Sequence, residues 1–193
     1  MQAEDISPEM LLNAYIQGYF PMPEPDGELL WYKPNPRAIF PLDGFHVSSS
    51  LKRHMRKFSE DKILINTQFR DVMEACSERE ETWIQPAMVD LYEQLFDLGF
   101  CHSIEVVRDG KLIGGTYGLQ IQGAFFAESM FHRETNASKV ALFHLIKLLN
   151  QKNFKLLECQ FLTPHLSSLG AIEISDEEYM KLLNQALKTK AGI

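Results

Sequence analysis

The segment from residue 112 to residue 160 constrains the fold of this chain more than any other stretch. Two apolar stretches, residues 112–118 and 126–131, precede a stretch with helical spacing that begins near Asn136 and a short apolar stretch that ends at Gln160. This pattern predicts a strand, a second strand, a helix and a third strand. The segment therefore predicts a domain of the α+β class, in which a helix packs against the strands that precede and follow it.

Polar residues lie at two points of this segment. Glu128 is expected at the end of the second strand, where polar residues lead into the helix. Glu158 and Gln160 stand two residues apart on the next strand, so their side chains are expected on the same face. Since the intervening helix is rich in Leu, the sequence predicts a pocket with an apolar wall and a polar corner.

Length and composition limit the class of protein. The 193 residues are 45% apolar and 23% charged, which predicts a soluble globular protein with one main domain and a small appendage. No apolar run approaches the length of a membrane span, and the acidic residues 1–5 are unlike a signal peptide. A cytoplasmic protein without a membrane partner is therefore expected.

The cysteines and histidines give no metal-binding pattern. Cys76, Cys101 and Cys159 are odd in number and lack C-x-x-C spacing, which favours buried thiols in a reducing compartment over a zinc site. The six histidines form no H-x-x-H or H-E-x-x-H pattern. No metal is therefore expected.

A small N-terminal lobe is predicted before the main domain. Ser7 is a helix cap, and Gly18 ends the apolar stripe of that helix. Five prolines between residues 21 and 36 then predict an extended connector. The predicted domains are residues 1–35 for the lobe and residues 36–193 for the main domain.

Further elements follow from periodicity and from turn and cap residues. Asp109 and Gly110 predict a hairpin turn, and Ser175 with Glu178 forms a capping box at the last helix. The other predictions are strands at residues 29–32, 62–65, 121–126 and 155–161, and helices at 48–58, 69–77, 88–98 and 136–151.

The formal charge of -7 argues against a polyanionic partner, but one segment is strongly basic. Residues 48–57 carry four positive charges and no negative charge. At helical spacing, Leu51 and Met55 fall on one side. The cations fall largely on the other side: Lys52, Arg53, Arg56 and Lys57. From the residues alone, this basic helix is either a solvated face or a surface that binds phosphates.

A set of short motifs resembles one protein family. In chain order the motifs are Gly18-Tyr-Phe-Pro21, Trp31-Tyr-Lys-Pro-Asn-Pro-Arg37, Glu81-Thr-Trp-Ile84, His102-Ser-Ile-Glu105, Gly114-Gly-Thr-Tyr-Gly118, Glu128-Ser-Met-Phe131, Asn136-Ala-Ser-Lys139, Cys159-Gln160 and Ser168-Leu-Gly-Ala171. Together they make the chain similar to the leucyl/phenylalanyl-tRNA-protein transferases, which move an amino acid from charged tRNA to the N-terminus of a protein. The resemblance covers nearly the whole chain and implies a fold like that of the GCN5-related N-acetyltransferases, a mixed sheet flanked by helices.

The resemblance implies transfer of Leu or Phe from aminoacyl-tRNA to the N-terminal α-amino group of an acceptor protein, which creates a degradation signal of the N-degron pathway. N-terminal Arg or Lys is the implied acceptor. An aminoacyl-tRNA is already an activated ester, and a free α-amino group has a pKa of about 7.7–8.0. Positioning and proton removal therefore suffice, and no cofactor is required.

The resemblance assigns two residues to catalysis. In the family the corresponding strand carries Asp-Cys-Gln, and its Asp and Gln take part in catalysis; Glu158 and Gln160 stand at those positions here. The Glu158 carboxylate is expected to fix and polarise the Gln160 carboxamide, whose oxygen accepts a hydrogen bond from the attacking amine. Glu128 is expected to hold the substrate's ammonium group, the alternative being a strand-end carboxylate bonded to backbone.

The donor side chain requires an apolar pocket. Leu142, Leu145 and Leu149 form a helical stripe, which by spacing alone is typical of a protein core. The resemblance adds further residues to this substrate-binding wall: Phe125, Ser129, Met130 and Leu157. Thr116 stands where the family has Met, and Ala127 where it has Gly, so these two residues are expected to alter which amino acid is accepted.

The resemblance also implies how tRNA is held. Trp83 is expected to stack on the terminal adenine, although a lone Trp is also typical of a core. A second stacking Trp of the family is replaced here by Met22. The four cations of the basic helix are implied to hold the acceptor arm of the tRNA.

Three other functions remain open on sequence grounds. A small-molecule N-acetyltransferase would use acetyl-CoA, but residues 133–137 lack the glycines that cradle a pyrophosphate at a helix start. A non-enzymatic tRNA-binding module would not need Glu158 beside Gln160. Transfer to N-terminal Asp or Glu is the third, because departures from the family pattern lie at the site: Met22, Thr116, Ala127 and Glu158.

Overall fold

The computed structural model describes residues 2–24, 27–57, 62–78, 82 and 84–193. Its helices are α1 (Pro8–Ile16), α2 (Ser49–Lys57), α3 (Phe69–Ser77), α4 (Pro86–Asp97), α5 (Ala137–Gln151), α6 (Pro164–Ser168) and α7 (Asp176–Leu187). Its strands are β1 (Phe20–Pro23), β2 (Leu29–Tyr32), β3 (Arg37–Ile39), β4 (Lys62–Ile65), β5 (Cys101–Arg108), β6 (Lys111–Ile121), β7 (Ala124–His132), β8 (Leu156–Glu158) and β9 (Ile172–Ile174). Among the helices of these residues, none combines the length and the apolar character that crossing a membrane requires.

The main sheet has the strand order β4-β5-β6-β7-β8-β3-β9. Its neighbours pair antiparallel except β7 and β8, which are parallel and are connected through α5. This parallel pair follows from the strand, helix and strand predicted between residues 124 and 158. The predicted α+β class, a mixed sheet flanked by helices, is confirmed. Strands β1 and β2 form a separate hairpin.

Two hydrophobic clusters fill the two faces of the sheet. Residues alternate between them along a strand, so that Leu112 belongs to one cluster and its neighbour Ile113 to the other. The first cluster packs α1, α3, α4 and α7, and the second packs α5 and Leu51 of α2. The predicted boundary between a lobe ending at residue 35 and a main domain beginning at residue 36 stays a prediction.

Turn and cap residues place several elements where the sequence predicts them. The Ser7 side chain accepts from the Met10 N–H at the start of α1, and Ser175 forms the predicted capping box at α7. Asp109 and Gly110 both have positive φ in the turn between β5 and β6.

Two predicted strands have different limits in the structure. The strand predicted at residues 121–126 is correct from Ala124 onward but wrong at its start, because Ile121 ends β6 and Gln122, at φ 53°, begins the turn into β7. The expectation that Glu128 lies at the end of the second strand of the segment from residue 112 to residue 160 is also wrong, since β7 continues to His132. Strand β8 covers three residues of the predicted 155–161, and its pairing with β7 ends at Glu158.

Candidate active site

A cavity of about 660 Å³ opens where β7 and β8 part. Their last parallel partners are Phe126 and Glu158, after which β8 ends and β7 continues. The parting leaves room between the two strands for side chains and for a ligand. The cavity is lined by Phe40, Ala75, Glu78, Thr116, Ala127, Glu128, Ser129, Met130, Phe131, His132, Arg133, Ser138, Leu142, Cys159, Gln160, Phe161, Thr163, His165 and Leu166.

Glu128 occupies a β-bulge in β7. Tyr117 pairs with Ser129 and Gly118 with Ala127, so Glu128 is the extra residue of β7 at this point. A Cβ at Gly118 would come within 2.3 Å of the Phe126 carbonyl oxygen, so glycine is required opposite the bulge. Bulges reorient side chains beside functional sites.

The Glu128 carboxylate is buried in a network of side chains. Its Oε1 accepts from the Tyr15 hydroxyl at 2.5 Å, and the Tyr15 and Tyr92 hydroxyls lie 2.9 Å apart. Its Oε2 accepts from the Gln160 carboxamide at 3.0 Å. Burial raises the pKa of Glu128 to about 8, although the hydrogen bond from Tyr15 acts in the opposite direction. A substantial fraction of Glu128 is therefore protonated at neutral pH.

Glu158 is fully buried and paired with Arg37. The Arg37 Nη1 lies 2.8 Å from Glu158 Oε1, and both side chains are at most 1% exposed. Arg37 also donates to the Gly18 carbonyl oxygen, and its guanidinium lies 4.4 Å from the centre of the Tyr179 ring. Burial raises the pKa of Glu158, and the charge of Arg37 opposes that shift. The ion pair therefore connects β3, β8, α7 and the turn that follows α1.

Gln160 lies beyond the end of β8 and has a left-handed backbone at φ 65°. Its N–H donates to Glu158 Oε1 at 2.8 Å, while its carboxamide donates to Glu128. The predicted contact in which the Glu158 carboxylate fixes the Gln160 carboxamide is therefore wrong. The period-two argument fails because the strand has already ended, so Glu158 fixes the Gln160 backbone and Glu128 fixes its side chain. The alternative of Glu128 as a carboxylate bonded to backbone is not what the structure shows.

The residues predicted to surround the side chain of the transferred amino acid divide into two groups. Thr116, Ser129, Met130 and Leu142 line the cavity. The Thr116 hydroxyl, which needs a partner when buried, donates to the Ser129 carbonyl oxygen at 2.9 Å. The other predicted wall residues do not line the cavity and pack in the same core cluster as Leu142: Phe125, Leu145, Leu149 and Leu157.

The predicted tRNA contacts lie on α2 and before α4. Lys52, Arg53 and Arg56 are on the exposed side of α2, opposite the buried Leu51, which agrees with the predicted helical spacing. The side chain of Lys57 and the whole of Trp83 lie outside the described residues. The role of this helix in binding tRNA stays a prediction.

No role is predicted from sequence for Tyr15, Tyr92 or Arg37, although all three support the polar corner. Tyr15 falls on the apolar stripe of α1, and nothing in the pattern distinguishes its hydroxyl. Arg37 ends the motif that begins at Trp31, which is a signal for a special role. Its partner Glu158 is 121 residues away, so the pairing itself has no local signal.

Two further observations concern metals and thiols. Within the described part of the chain, no three His, Cys, Asp or Glu side chains gather as metal ligands would. Cys76 and Cys101 are buried as predicted, whereas Cys159 is half-buried and lines the cavity. Burial raises the pKa of the Cys159 thiol, which disfavours the nucleophilic thiolate.

Similar solved structures include several acetyltransferases. A ribosomal-protein-alanine N-acetyltransferase from Brucella melitensis has a TM-score of 0.41 and 13% identity, over 69% of this chain and 94% of that one. A GCN5-related N-acetyltransferase-like protein from Streptococcus suis has a TM-score of 0.39 and 16% identity, over 72% of this chain and 57% of that one.

Sequence comparisons give a family. Residues 39–184 match the model of the leucyl/phenylalanyl-tRNA protein transferases, and residues 4–35 match that of their N-terminal domain. A leucyl/phenylalanyl-tRNA–protein transferase of Herpetosiphon aurantiacus is 49% identical over 96% of this chain and 97% of its own length. One from Cereibacter sphaeroides is 48% identical over 100% of this chain and 90% of its own length. This chain belongs to the leucyl/phenylalanyl-tRNA–protein transferase family of aminoacyltransferases.

Proposed function

We propose that this protein transfers Leu or Phe from a charged tRNA to the N-terminal α-amino group of an acceptor protein. The observation that carries the proposal is the buried contact between Glu128 and Gln160 in the cavity between β7 and β8. Family membership supplies the class of reaction, and this pair supplies groups suited to handling an amine.

The Gln160 carboxamide is held so that its oxygen can accept a hydrogen bond. Its NH₂ group donates to Glu128, and its backbone is fixed by Glu158. No described residue donates to its carboxamide oxygen, which leaves that oxygen for the attacking amine. An amine that donates one N–H to Gln160 directs its lone pair elsewhere, toward the ester carbonyl carbon.

Glu128 is suited to take the proton that the amine loses. The pKa of the Glu128 carboxyl, about 8, is close to the 7.7–8.0 of an α-amino group, so proton exchange between them costs little. As the new N–C bond forms, the amine nitrogen loses a proton to Glu128. As the C–O ester bond breaks, the ribose oxygen of the tRNA leaves with a proton, which Glu128 returns.

The cavity wall supports an apolar donor. Met130 and Leu142 give an apolar surface, and the hydroxyl of Thr116 is already bonded within the sheet. This apolar part of the wall favours Leu or Phe over polar amino acids.

Acidic groups beside the cavity support an acceptor with N-terminal Arg or Lys. Glu78 lines the cavity and pairs with Arg133 at 3.0 Å. An adjoining cavity of about 250 Å³ shares both residues and is also lined by Asp71 and by Glu74, which pairs with Arg70 at 2.9 Å. A cationic side chain next to the acceptor amine would meet this surface, whereas an acidic one would be repelled. The product would then carry a new N-terminal Leu or Phe as a degradation signal.

A transfer assay with defined substrates tests the proposal. The protein is incubated with tRNAs charged with Leu, Phe or Met, with acetyl-CoA as the rival donor, and with peptides that differ only at residue one. Leu or Phe on peptides that begin with Arg or Lys is expected. Acetylated peptide would support the acetyltransferase alternative, and transfer confined to Asp or Glu peptides would support the acidic-acceptor alternative.

A further inference from the structure

The start of α5 is an uncapped helix N-terminus at the cavity. Asn136 precedes the helix in a left-handed conformation, with φ 69°, and makes no capping hydrogen bond. Its side chain instead contacts His54 of α2 at 3.0 Å. The Ala137 N–H donates to the Glu134 carbonyl oxygen, so the next two N–H groups of this 15-residue helix, those of Ser138 and Lys139, are the ones without a side-chain acceptor at the positive end of the helix dipole.

A buried hydroxyl lies at the same place. Ser138 is 4% exposed, lines the cavity, and makes no hydrogen bond through its Oγ with any residue that the structure describes. The helix start is held firmly against β6, because a Cβ at Gly114 would come within 2.5 Å of the Ala137 Cβ. The hydroxyl is therefore available to donate to a ligand in the cavity.

One lysine and two histidines lie around this helix start. His165 lies on α6, His132 ends β7, and both line the cavity. Lys139 is the next residue after Ser138. Burial lowers the pKa of His165, and the neighbouring Lys139 and His132 lower it further, so the His165 imidazole is neutral at pH 7 and Lys139 supplies the positive charge. The acid nearest in sequence, Glu134, is paired with Arg108.

We propose that the start of α5, with the Ser138 hydroxyl and the Lys139 ammonium group, binds the phosphate that joins the last two nucleotides of the tRNA. Uncapped N–H groups, a hydroxyl donor and a cation together match the charge and the acceptors of a phosphodiester. This inference rests on the proposed function, because only a tRNA donor brings that phosphate to the cavity.

The contact between Asn136 and His54 places the phosphate site next to the basic helix. It joins the start of α5 to α2, whose exposed cations are Lys52, Arg53 and Arg56. The acceptor arm would lie along α2, and the last phosphate would fix the terminal adenosine with its ester in the cavity. Phosphate contacts of this kind position a nucleic acid and do not read its sequence.

Minimal donors test the phosphate site directly. Phe is esterified to adenosine, to the dinucleotide CpA, and to CpA with a neutral methylphosphonate in place of the phosphate. The measured quantity is the ratio of kcat/KM for each dinucleotide donor to that for the adenosine donor, with one Arg peptide as acceptor. We expect the charged phosphate to raise the ratio by about tenfold in the wild type, the order of one charge-assisted hydrogen bond, and the methylphosphonate not to raise it.

Variants assign the effect to these residues. Ser138→Ala and Lys139→Gln should each reduce the ratio toward one. Lys147→Gln, which removes an exposed charge two turns along the same helix, should keep the wild-type ratio. Equal ratios in wild type, Ser138→Ala and Lys139→Gln would overturn the inference.

Two further outcomes distinguish failure of the proposed function from failure of the phosphate site alone. Absence of transfer from any donor, full-length charged tRNA included, would refute the proposed function and the phosphate site with it. Inhibition by coenzyme A at lower concentration than by unesterified CpA would assign the phosphate-binding groups to a different ligand and would also overturn the inference.

Discussion

The Gln160 side chain donates to the Glu128 carboxylate at 3.0 Å, and each residue lies two positions beyond Phe126 and Glu158, the last parallel partners of β7 and β8. Glu128 reaches this position because it is the extra residue of a bulge, and Gln160 because it turns through a left-handed conformation after β8 ends. Two local departures from regular strand geometry thus bring together the pair on which the proposed chemistry depends.

The raised pKa of Glu128 predicts a pH-dependent stability. An acid whose pKa rises from 4.5 to about 8 on folding stabilises the fold fully below pH 4.5, and that contribution is lost as the pH rises toward 8. The free energy of unfolding of the wild type should therefore fall, relative to that of Glu128→Gln, by at most about 1.4 kcal/mol per pH unit in this window. Urea denaturation of both proteins between pH 5 and pH 8 measures it. A constant difference across the window would show that Glu128 is already ionised in the folded protein, and would contradict the raised pKa.

The ion pair of Arg37 and Glu158 predicts a compensated double variant. Arg37→Met should destabilise the protein by about 3–5 kcal/mol, because it leaves the Glu158 carboxylate buried without its counter-charge. Adding Glu158→Gln should restore most of that loss, since no buried charge then remains. Thermal denaturation of both single variants and the double variant measures the recovery. Strictly additive effects would mean that the two residues do not act as a pair.

Thr116 predicts a change in donor preference. Thr116→Met replaces a hydroxyl bonded to Ser129 with a longer apolar side chain in the cavity wall. Selection between apolar side chains of different size is worth about 1–3 kcal/mol, so the ratio of Leu to Phe transfer should move without loss of either. Competition between Leu-tRNA and Phe-tRNA measures the ratio. If it stays at the wild-type value, Thr116 does not touch the donor side chain.

The basic helix predicts a salt effect. Replacing Arg53 and Arg56 with Ala should weaken tRNA binding and flatten the dependence of log K on log salt by up to about one unit per lost phosphate contact. The matched control replaces Lys111 and Lys152, which are exposed on other elements, and should keep the wild-type slope. If the salt dependence of tRNA binding is the same in both double variants, α2 does not contact phosphates and is an ordinary solvated face.

Local signals predicted much of the fold and part of the site. Ser7, Ser175 and the Asp109-Gly110 turn lie where the sequence predicts, because caps and turns depend on neighbouring residues only. The bulge at Glu128 was not predictable in this way. It depends on Gly118 of the partner strand, and therefore on a pairing that the segment alone does not specify.

The sequence also does not predict which distant residues contact the buried carboxylates. Glu158 was expected to act on the Gln160 carboxamide because the two are close in sequence, but its charge is held by Arg37, which lies 121 residues away. Tyr15 likewise reaches Glu128 across 113 residues. Burial creates these contacts, since a buried carboxylate requires partners from whichever elements pack against it.

The Gln160→Ala variant tests the central claim most directly. The carboxamide is proposed to act on the attacking amine and not on the polynucleotide, so single-turnover transfer should fall by about 10²-fold or more while the affinity for tRNA stays within about twofold of wild type. Rapid quenching of a reaction with charged tRNA and an Arg peptide, together with filter binding of the same tRNA, measures both quantities. A loss of tRNA affinity in parallel with the rate, or a rate that remains near wild type, would contradict the account.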